Sequence, residues 1–95
     1  MPREALAKWD KSDKMLTMYY VYILKLSNNW YYTGYSSNLQ KRLKEHQQGR
    51  VKATQNHRPV QLLFYCAFIS KGKALAFEKY LKTGSGFAFR NKRLV

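Results

Sequence analysis

The strongest pattern in the chain is a pair of aromatic and aliphatic segments joined by a polar turn. Residues 19–26 are rich in tyrosine, valine, isoleucine and leucine, which is typical of a largely buried β-strand. Residues 27–29, a serine and two asparagines, have the composition of a turn. Residues 30–35 are again aromatic, so the pattern predicts a β-hairpin.

The simplest register of this hairpin places Tyr22 opposite Gly34. Because side chains alternate across a strand with period two, Tyr22 and Tyr32 then share one face of the sheet. Gly34 has no side chain and leaves space beside the Tyr22 ring. A slip of one residue would put the two rings on opposite faces. The register therefore predicts two phenols at the border of a small open site, with Gly34 in a structural role.

Helical periodicity begins after the hairpin. Asn38 is a suitable N-cap for a helix over residues 39–48, in which Leu39 and Leu43 mark the buried stripe. We expect Gly49 to end this helix, because glycine readily adopts the left-handed conformation of a helix C-terminus.

The second half of the chain predicts one strand and two helices. Residues 50–58 form a basic loop, and the apolar residues 60–69 predict a long strand at the centre of the sheet. Residues 71–83 predict a helix that ends at the glycine-rich residues 84–86, and residues 87–94 predict a further short helix. The order β-β-α-β-α-α indicates an α+β domain with a small mixed or antiparallel sheet.

The first seventeen residues differ from the rest. They are polar and contain three of the five carboxylates. We predict a flexible polar N-terminal extension over residues 1–17 and one small domain over residues 18–95.

The charge of the chain narrows the choice of partner. Eighteen lysine and arginine residues against five carboxylates give a formal net charge of +13. This balance favours a polyanion, most often a nucleic acid and less often an anionic membrane. The apolar run 62–69 is too short to cross a bilayer, and no apolar N-terminal segment typical of a signal peptide is present. We expect no membrane partner.

Cysteine usage points in the same direction. The single cysteine, Cys66, cannot form an internal disulfide or a multi-cysteine zinc site, and we expect a buried core thiol. The sequence therefore predicts a soluble protein of a reducing compartment, the cytoplasm.

One acidic residue is exceptional. After Lys14 the chain contains only two carboxylates, and Glu45 lies in a basic helix where solvation explains it. Glu78 instead adjoins the apolar residues of the helix over residues 71–83. The simplest chemical use of such an acid is to hold a divalent cation against a phosphate.

Other groups suited to phosphodiester hydrolysis lie near the apolar sides of the predicted elements. Arg42 and His46 are four residues apart on one side of the first helix. Each group also has an ordinary alternative role: core aromatic residues on the strands, a solvated arginine, a surface histidine, and a salt bridge from Glu78 to Lys82 or Lys79. Composition and spacing alone support a basic nucleic-acid-binding domain.

Residues 20–91 resemble the GIY-YIG endonuclease superfamily. The two signature tripeptides correspond to Tyr20-Val21-Tyr22 and Tyr32-Thr33-Gly34, and the residues from Tyr35 to His46 and from Ala74 to Lys82 resemble the conserved helices of that family. The resemblance is greatest to small stand-alone bacterial members and to the nuclease domain of the excinuclease that cuts damaged DNA in excision repair. It implies a three-stranded antiparallel sheet flanked by helices.

The resemblance also implies roles for individual residues. Tyr22 is the candidate general base or positions the attacking water, and Tyr32 helps to order the site. Arg42 contacts the scissile phosphate, and His46 is a supporting acid–base group. Glu78 is the protein ligand of one divalent cation, Mg²⁺ or Mn²⁺. A free phenol has a pKa near 10, so Tyr22 must either share its proton in a hydrogen-bonded network or have its pKa shifted by neighbouring cations such as Arg42 and a bound metal.

The remaining expectations concern the partner. Nucleic-acid contacts are assigned to basic and amide residues outside the catalytic set: Lys41, Arg50, Lys52, Arg58 and Asn91. The leading hypothesis is a metal-dependent DNA endonuclease of repair or recombination, which either cleaves loosely, relies on a protein partner for targeting, or reads nucleic-acid shape. The alternatives are a non-catalytic nucleic-acid-binding module and an RNA nuclease.

Overall fold

The computed structural model of the protein describes residues 17–95. The predicted extension over residues 1–17 therefore lies, apart from its last residue, outside the described residues. The elements of the described part follow the predicted order: β1 (Tyr19–Lys25), β2 (Tyr31–Ser36), α1 (Leu39–Gln47), β3 (Gln61–Phe68), α2 (Lys71–Leu81) and α3 (Gly84–Arg93). The α+β class and the three-stranded antiparallel sheet are confirmed.

The order of the strands differs from the sequence prediction. The sheet runs β2-β1-β3, so β1 is central and the long apolar strand β3 lies at an edge. Residues 21–24 of β1 are fully buried, whereas Leu62 and Tyr65 of β3 keep 37% and 54% of their surface exposed. The prediction was wrong because an apolar run shows that a strand is hydrophobic, but not how many neighbours cover it.

The two faces of β1 form two separate hydrophobic clusters. Tyr22 and Leu24 project to the face covered by α1, where they pack with Leu26 and Val60. Val21 and Ile23 project to the opposite face, against Ala74 and Leu81 of α2. Each fully buried aliphatic side chain of this size contributes roughly 1.5–3 kcal/mol. The alternation of β1 thus fixes α1 on one side of the sheet and α2 with α3 on the other.

Side-chain caps set the beginnings of the helices. Asn38 accepts from the backbone N–H of Lys41 at 3.1 Å, and Ser70 accepts from that of Lys73 at 3.2 Å, as their N-cap positions predict. Thr83 caps α3 in the same way through the N–H of Gly86.

The glycine-rich segment therefore begins α3 instead of ending α2. Gly86 is buried where α3 meets α2, and a Cβ atom there would collide with the carbonyl oxygen of Tyr80. Glycine at this position permits the close approach of the two helices.

Two further observations concern burial. Cys66 is only partly buried, at the margin of the α2 cluster, so the prediction of a buried core thiol was wrong. Its place on an edge strand explains the difference, and partial burial still raises the pKa of the thiol. Among the helices in residues 17–95, none has the length and apolar character needed to cross a membrane.

Candidate active site

The site is organised around the Tyr22 phenol. Tyr22 pairs with Gly34 and Leu24 with Tyr32, so the predicted hairpin register is confirmed. The Tyr22 ring lies over Gly34, and a Cβ atom at that position would collide with its Cζ and Oη atoms. Gly34 therefore allows a fully buried tyrosine to extend across β2.

A chain of buried hydrogen bonds continues from this phenol. The Tyr22 hydroxyl lies 2.8 Å from Nε2 of His46, and Nδ1 of the same ring lies 2.7 Å from Oγ1 of Thr54. All three residues have no exposed surface. A buried polar group is costly unless it is hydrogen-bonded, and residues 17–95 contain no buried side-chain N or O atom without a partner.

His46 and Thr54, which continue the hydrogen bonding from Tyr22, come from separate elements. His46 lies in the last turn of α1. Thr54 belongs to the basic loop, where its N–H donates to the Val51 carbonyl at 3.0 Å and its carbonyl accepts from the N–H of His57 at 3.0 Å. Sequence reasoning missed Thr54, because a single threonine in a basic loop carries no signal of its own.

Tyr32 completes the cluster on this face. Its ring centroid lies 6.3 Å from that of Tyr22 and 5.1 Å from that of His46, with the histidine in an edge-on arrangement. Pairs of this geometry are attractive because the positive edge of one ring meets the negative face of the other. The structure thus brings together Tyr22, Tyr32 and His46, as the sequence predicted for the two tyrosines.

The protonation states follow from burial. Burial raises the pKa of Tyr22 to about 12; the neighbouring Tyr32 and the Glu78 carboxylate act in the same direction, while Arg42 opposes the rise. Arg42 thus acts to lower the pKa of Tyr22, as expected of a neighbouring cation, but removal of the phenol from water outweighs the guanidinium and the net shift is upward. Burial, with a smaller contribution from Arg42, lowers the pKa of His46 to about 4. At neutral pH the site therefore contains a neutral phenol and a neutral imidazole.

Arg42 lies at the rim of the site. Its Nη1 donates to Oε1 of Glu45 at 3.0 Å, and 37% of its side chain is exposed. Both residues line a shallow depression of about 330 Å³ that also includes Tyr35 and Lys41. Glu45, expected to be an ordinary solvated acid, thus orients the guanidinium. A substrate phosphate could contact Arg42 from this depression.

Glu78 approaches from the opposite side of the sheet. Helix α2 packs against both β1 and β2, and only 20% of the Glu78 side chain is exposed. Its Oε2 accepts from Nζ of Lys82 at 3.2 Å, which is one of the salt bridges expected from the sequence. The carboxylate is nevertheless near enough to contribute to the raised pKa of Tyr22. The Glu78 carboxylate is therefore mostly covered, with Lys82 as its ion-pair partner.

The donor set at this position suits one class of metal ion. Within residues 17–95 there is no cluster of three or more histidine, cysteine or acidic side chains, so Glu78 would be a single protein ligand. One carboxylate oxygen with water and substrate phosphate matches the coordination of Mg²⁺, which retains several waters and rarely uses an all-protein cage. It does not match a closed structural zinc site.

The predicted nucleic-acid contacts differ in their environment. Lys41, Arg50 and Lys52 are exposed. Arg58 donates to the Gln47 carbonyl through Nη1 and to the Gln55 carbonyl through Nε, both at 3.1 Å, so it also fastens the basic loop to the end of α1.

On the other side of the sheet, Asn91 accepts from Nε of Arg90 at 3.0 Å. The Arg90 guanidinium lies 4.8 Å from the ring centre of Tyr31 and 4.9 Å from that of Phe87. Sequence reasoning missed Arg90, which the two aromatic rings hold beside β2.

Comparison with known proteins identifies the family. A sequence model of the GIY-YIG catalytic domain matches residues 18–92. The chain belongs to the GIY-YIG family. The GIY-YIG domain covers nearly all of the described residues, and membership implies a nuclease-type catalytic domain.

Relatives of similar size support this assignment. The UPF0213 protein SH2523 of Staphylococcus haemolyticus is 39% identical over 71 residues, which are 74% of this chain and 87% of that protein. The UPF0213 protein CPE1444 of Clostridium perfringens is 42% identical over 66 residues, which are 68% of this chain and 71% of that protein. The solution NMR structure of the UPF0213 protein BH0048 from Bacillus halodurans has a TM-score of 0.52 at 31% identity, and covers 79% of this chain and 83% of that one.

Within the GIY-YIG framework the departures from the signature are at packing positions. Val21 and Thr33 are buried, and Val21 packs in the cluster on the α2 side of the sheet, away from the Tyr22 phenol. Tyr20 is partly buried, with its ring centroid 6.3 Å from that of Tyr65. The substitutions therefore leave Tyr22, Tyr32 and Gly34 in the arrangement that the GIY-YIG signature describes.

Proposed function

We propose that the protein is a divalent-metal-dependent endonuclease that hydrolyses phosphodiester bonds in DNA. The observation that carries the proposal is the fully buried chain from Tyr22 through His46 to Thr54, with Arg42 on one side and Glu78 on the other. Perturbed titratable groups that surround one phenol are typical of a catalytic site, since ordinary packing gains nothing from them.

The pKa values decide how the phenol could act. At pH 7 the removal of the Tyr22 proton to solvent costs about 7 kcal/mol, because its pKa of about 12 is five pH units higher. Protonation of His46 costs about 4 kcal/mol, because its pKa of about 4 is three pH units lower. Both groups are therefore neutral at pH 7, and the 2.8 Å hydrogen bond between them gives a route by which Tyr22 can pass a proton to His46 without first releasing one to solvent.

The proposed step uses this route. In the tautomer with the imidazole proton on Nδ1, His46 donates to Thr54 Oγ1 and its Nε2 accepts from the Tyr22 hydroxyl. The step requires that substrate binding uncover the Tyr22 phenol, which has no exposed surface in this structure. As a water oxygen then forms a bond to phosphorus, its proton moves to Tyr22 Oη and the Tyr22 proton moves to His46 Nε2. The bond from phosphorus to the leaving oxygen breaks, and that oxygen takes a proton from solvent.

Arg42 and Glu78 would stabilise the negative charge on the phosphate. The Arg42 guanidinium, already oriented by Glu45, would donate to the non-bridging oxygens as negative charge develops. Glu78 would hold Mg²⁺ or Mn²⁺, which when bound polarises the phosphoryl oxygen and stabilises the charge of the transition state. Tyr32 keeps the Tyr22 and His46 rings in place by packing against both.

The biological setting is part of the same proposal. The net charge of +13 supports a nucleic-acid substrate, with DNA favoured by the family. We infer a role in DNA repair or recombination in the cytoplasm, with a protein partner for targeting. Phosphate contacts would come from Lys41, Arg50 and Lys52, with Arg58 and Asn91 at the margins.

The test compares the two carboxylates of the described residues. Wild-type protein, Glu78→Gln, Arg42→Ala and Glu45→Gln are incubated with supercoiled plasmid and Mg²⁺, and nicked and linear products are measured. We expect Glu78→Gln and Arg42→Ala to lose at least a hundredfold in rate. Glu45→Gln, which only loosens the guanidinium, should lose about tenfold or less. Wild-type activity that survives in Glu78→Gln would refute the assignment.

The same cleavage assay with an RNA substrate, together with a binding measurement, separates the alternatives. Cleavage of an RNA of matched sequence in preference to DNA would indicate an RNA nuclease. Salt-dependent binding to both, without cleavage under Mg²⁺ or Mn²⁺, would indicate a non-catalytic binding module.

A further inference from the structure

A tryptophan at the hairpin turn is exposed but held by its backbone. Trp30 has 69% of its surface exposed. Its carbonyl accepts from the N–H of Leu26 at 2.8 Å, and its N–H donates to Oδ1 of Asn28 at 3.1 Å. Asn29, with φ of 68°, closes the turn in the left-handed conformation that asparagine tolerates. The backbone that carries the indole is therefore held in place, although solvent surrounds most of the side chain.

The His57 ring of the basic loop lies beside the indole of Trp30. The centroid of the His57 ring lies 6.4 Å from that of Trp30 at an interplanar angle of 38°. The loop is tied to the turn because the N–H of Ser27 donates to the His57 carbonyl at 3.0 Å. The same loop supplies Thr54 to His46, so one segment orders both the buried proton chain and the exposed tryptophan.

Trp30 lies just before β2, two residues from Tyr32, whereas the Arg42 depression lies at the other end of β2, beside Tyr35. The last pair of the ladder is Lys25 with Tyr31, and the Leu26 N–H donates to the Trp30 carbonyl just beyond it. Continued alternation places Trp30 and Tyr32 on one face. Two residues of a strand span about 6.6 Å. The exposed indole of Trp30 is thus the next side chain on this face after Tyr32, whose ring packs against His46.

The surroundings of Trp30 are suited to a polyanion. Arg50, Lys52 and Arg58 lie in the adjacent loop, and the sequence contains no carboxylate between Glu45 and Glu78. An aromatic ring beside a basic segment is the combination that proteins use to bind single-stranded nucleic acid, in which bases stack on the ring and phosphates contact the cations.

We propose that Trp30, backed by His57, is a stacking site for one unpaired nucleobase of the strand whose phosphate enters the active site. The inference rests on the proposed function for its location, but the stacking itself requires no cleavage. A duplex keeps its bases stacked on each other, so this site engages a strand only where a base is unpaired. It contributes affinity and fixes the register of the strand, and it takes no part in bond breaking.

The chain offers a direct spectroscopic test, since it contains only two tryptophans, Trp9 and Trp30. In the full-length Trp9→Phe protein, Trp30 is the single indole reporter. We expect saturable quenching of its emission by a single-stranded oligothymidine without divalent metal, and little quenching by a duplex of the same length. Fluorescence anisotropy of a labelled oligonucleotide measures binding independently of the indole.

Substitutions then measure the contribution of stacking. We expect Trp30→Ala to weaken binding of the single strand about tenfold. Trp30→Phe should recover part of the loss, and Tyr65→Ala, at an exposed tyrosine on the far edge strand, should change binding less than twofold. Circular dichroism confirms that each variant is folded.

Several results would overturn the inference. Oligonucleotide binding seen by anisotropy without a change in Trp30 emission, or Trp30→Ala binding within twofold of wild type, would contradict it. A rise in sedimentation coefficient with concentration that Trp30→Ala abolishes would assign the indole to contact between two copies of the chain instead. If the wild-type protein cleaves DNA but Trp30 emission does not change on binding, only the stacking site is refuted. If Trp30 emission is quenched but no cleavage occurs, only the proposed function is refuted.

Discussion

The two faces of the central strand are built on different principles. On the α2 side Val21 and Ile23 pack against Ala74 and Leu81, an entirely apolar cluster. On the α1 side the same strand buries Tyr22 in a hydrogen-bonded chain with two polar partners. An apolar cluster would stabilise a small domain at least as well, because buried polar groups gain little net energy even when they are satisfied. This difference is the one expected if one face serves stability and the other serves the proposed chemistry.

The largest expected effect separates activity from stability across β1. Tyr22→Phe keeps the ring but removes the hydroxyl, so it should lower the cleavage rate at least a hundredfold. Ile23→Val on the opposite face should cost about 1 kcal/mol of unfolding free energy and leave the cleavage rate within twofold. Single-turnover cleavage and urea unfolding of both variants measure the contrast. Equal loss of activity in the two variants would mean that neither face is specialised.

The next effect is the pH dependence of stability on the α1 side. The pKa of His46 falls from an ordinary 6.5 to about 4 on folding, so below pH 6.5 the unfolded chain takes up a proton that the folded chain does not. Stability is therefore complete above pH 6.5 and should decrease by about 3 kcal/mol as the pH falls to 4.

The two histidines of the chain provide the control. His46→Gln should flatten this decline in urea unfolding followed from pH 7 to pH 4, whereas His57→Gln should retain it. A decline of the same size in both variants would show that His46 is not the group that titrates.

At high pH the stability instead decreases as the pH rises. The pKa of Tyr22 rises from 10 to about 12 on folding, so above pH 10 the unfolded phenol loses its proton first. Stability should fall by about 2 kcal/mol between pH 10 and pH 12 from this group. In Tyr22→Phe this part of the alkaline decline should be absent, and an unchanged alkaline decline in that variant would assign it to other groups.

A pair of glycines tests the packing beneath the phenol. Gly34→Ala places a methyl group where the Tyr22 ring lies, so the ring must move, at a cost of about 2 kcal/mol and with a large loss of activity. Gly84→Ala is the matched control, since a Cβ atom there has no neighbour within 4 Å. In thermal unfolding, the melting temperature of Gly84→Ala should be equal to or higher than that of the wild type. A neutral Gly34→Ala would mean that the space above Gly34 is not needed.

The smallest effect concerns the end of the buried chain. Thr54→Val preserves shape but removes the hydroxyl, which leaves Nδ1 of His46 without its partner. We expect a loss of about 1 kcal/mol in unfolding free energy and about a tenfold loss in the cleavage rate. Thr54→Ser, which retains the hydroxyl, should recover most of the rate. Loss of rate in the serine variant equal to that in the valine variant would exclude a role for the hydrogen bond.

Local features of the fold could be predicted from the sequence. The hairpin register followed from period-two alternation and a short turn, and it correctly paired Tyr22 with Gly34. Helical spacing placed Glu78 beside the apolar arc of its helix, where the structure finds it mostly covered. These features depend on neighbours within a few residues, which a sequence pattern records directly.

Features that depend on distant contacts could not be predicted. The position of β3 at the sheet edge depends on which strand is covered on both sides. The contact of Thr54 with His46 joins a loop to a helix, and neither residue type requires it. The direction of the Tyr22 pKa was missed because burial, which the strand pattern does not quantify, outweighs the charge of Arg42.

The central claim is that Glu78, Arg42 and the Tyr22 phenol act on a single phosphate. Crystals of Tyr22→Phe grown with Mn²⁺ and a short DNA oligonucleotide test it most directly, through the anomalous signal of the metal. We expect one Mn²⁺ ion beside the Glu78 carboxylate, on a phosphate that also contacts Arg42 and faces residue 22. An ion bound elsewhere, or DNA bound with its phosphates remote from Glu78, would contradict it.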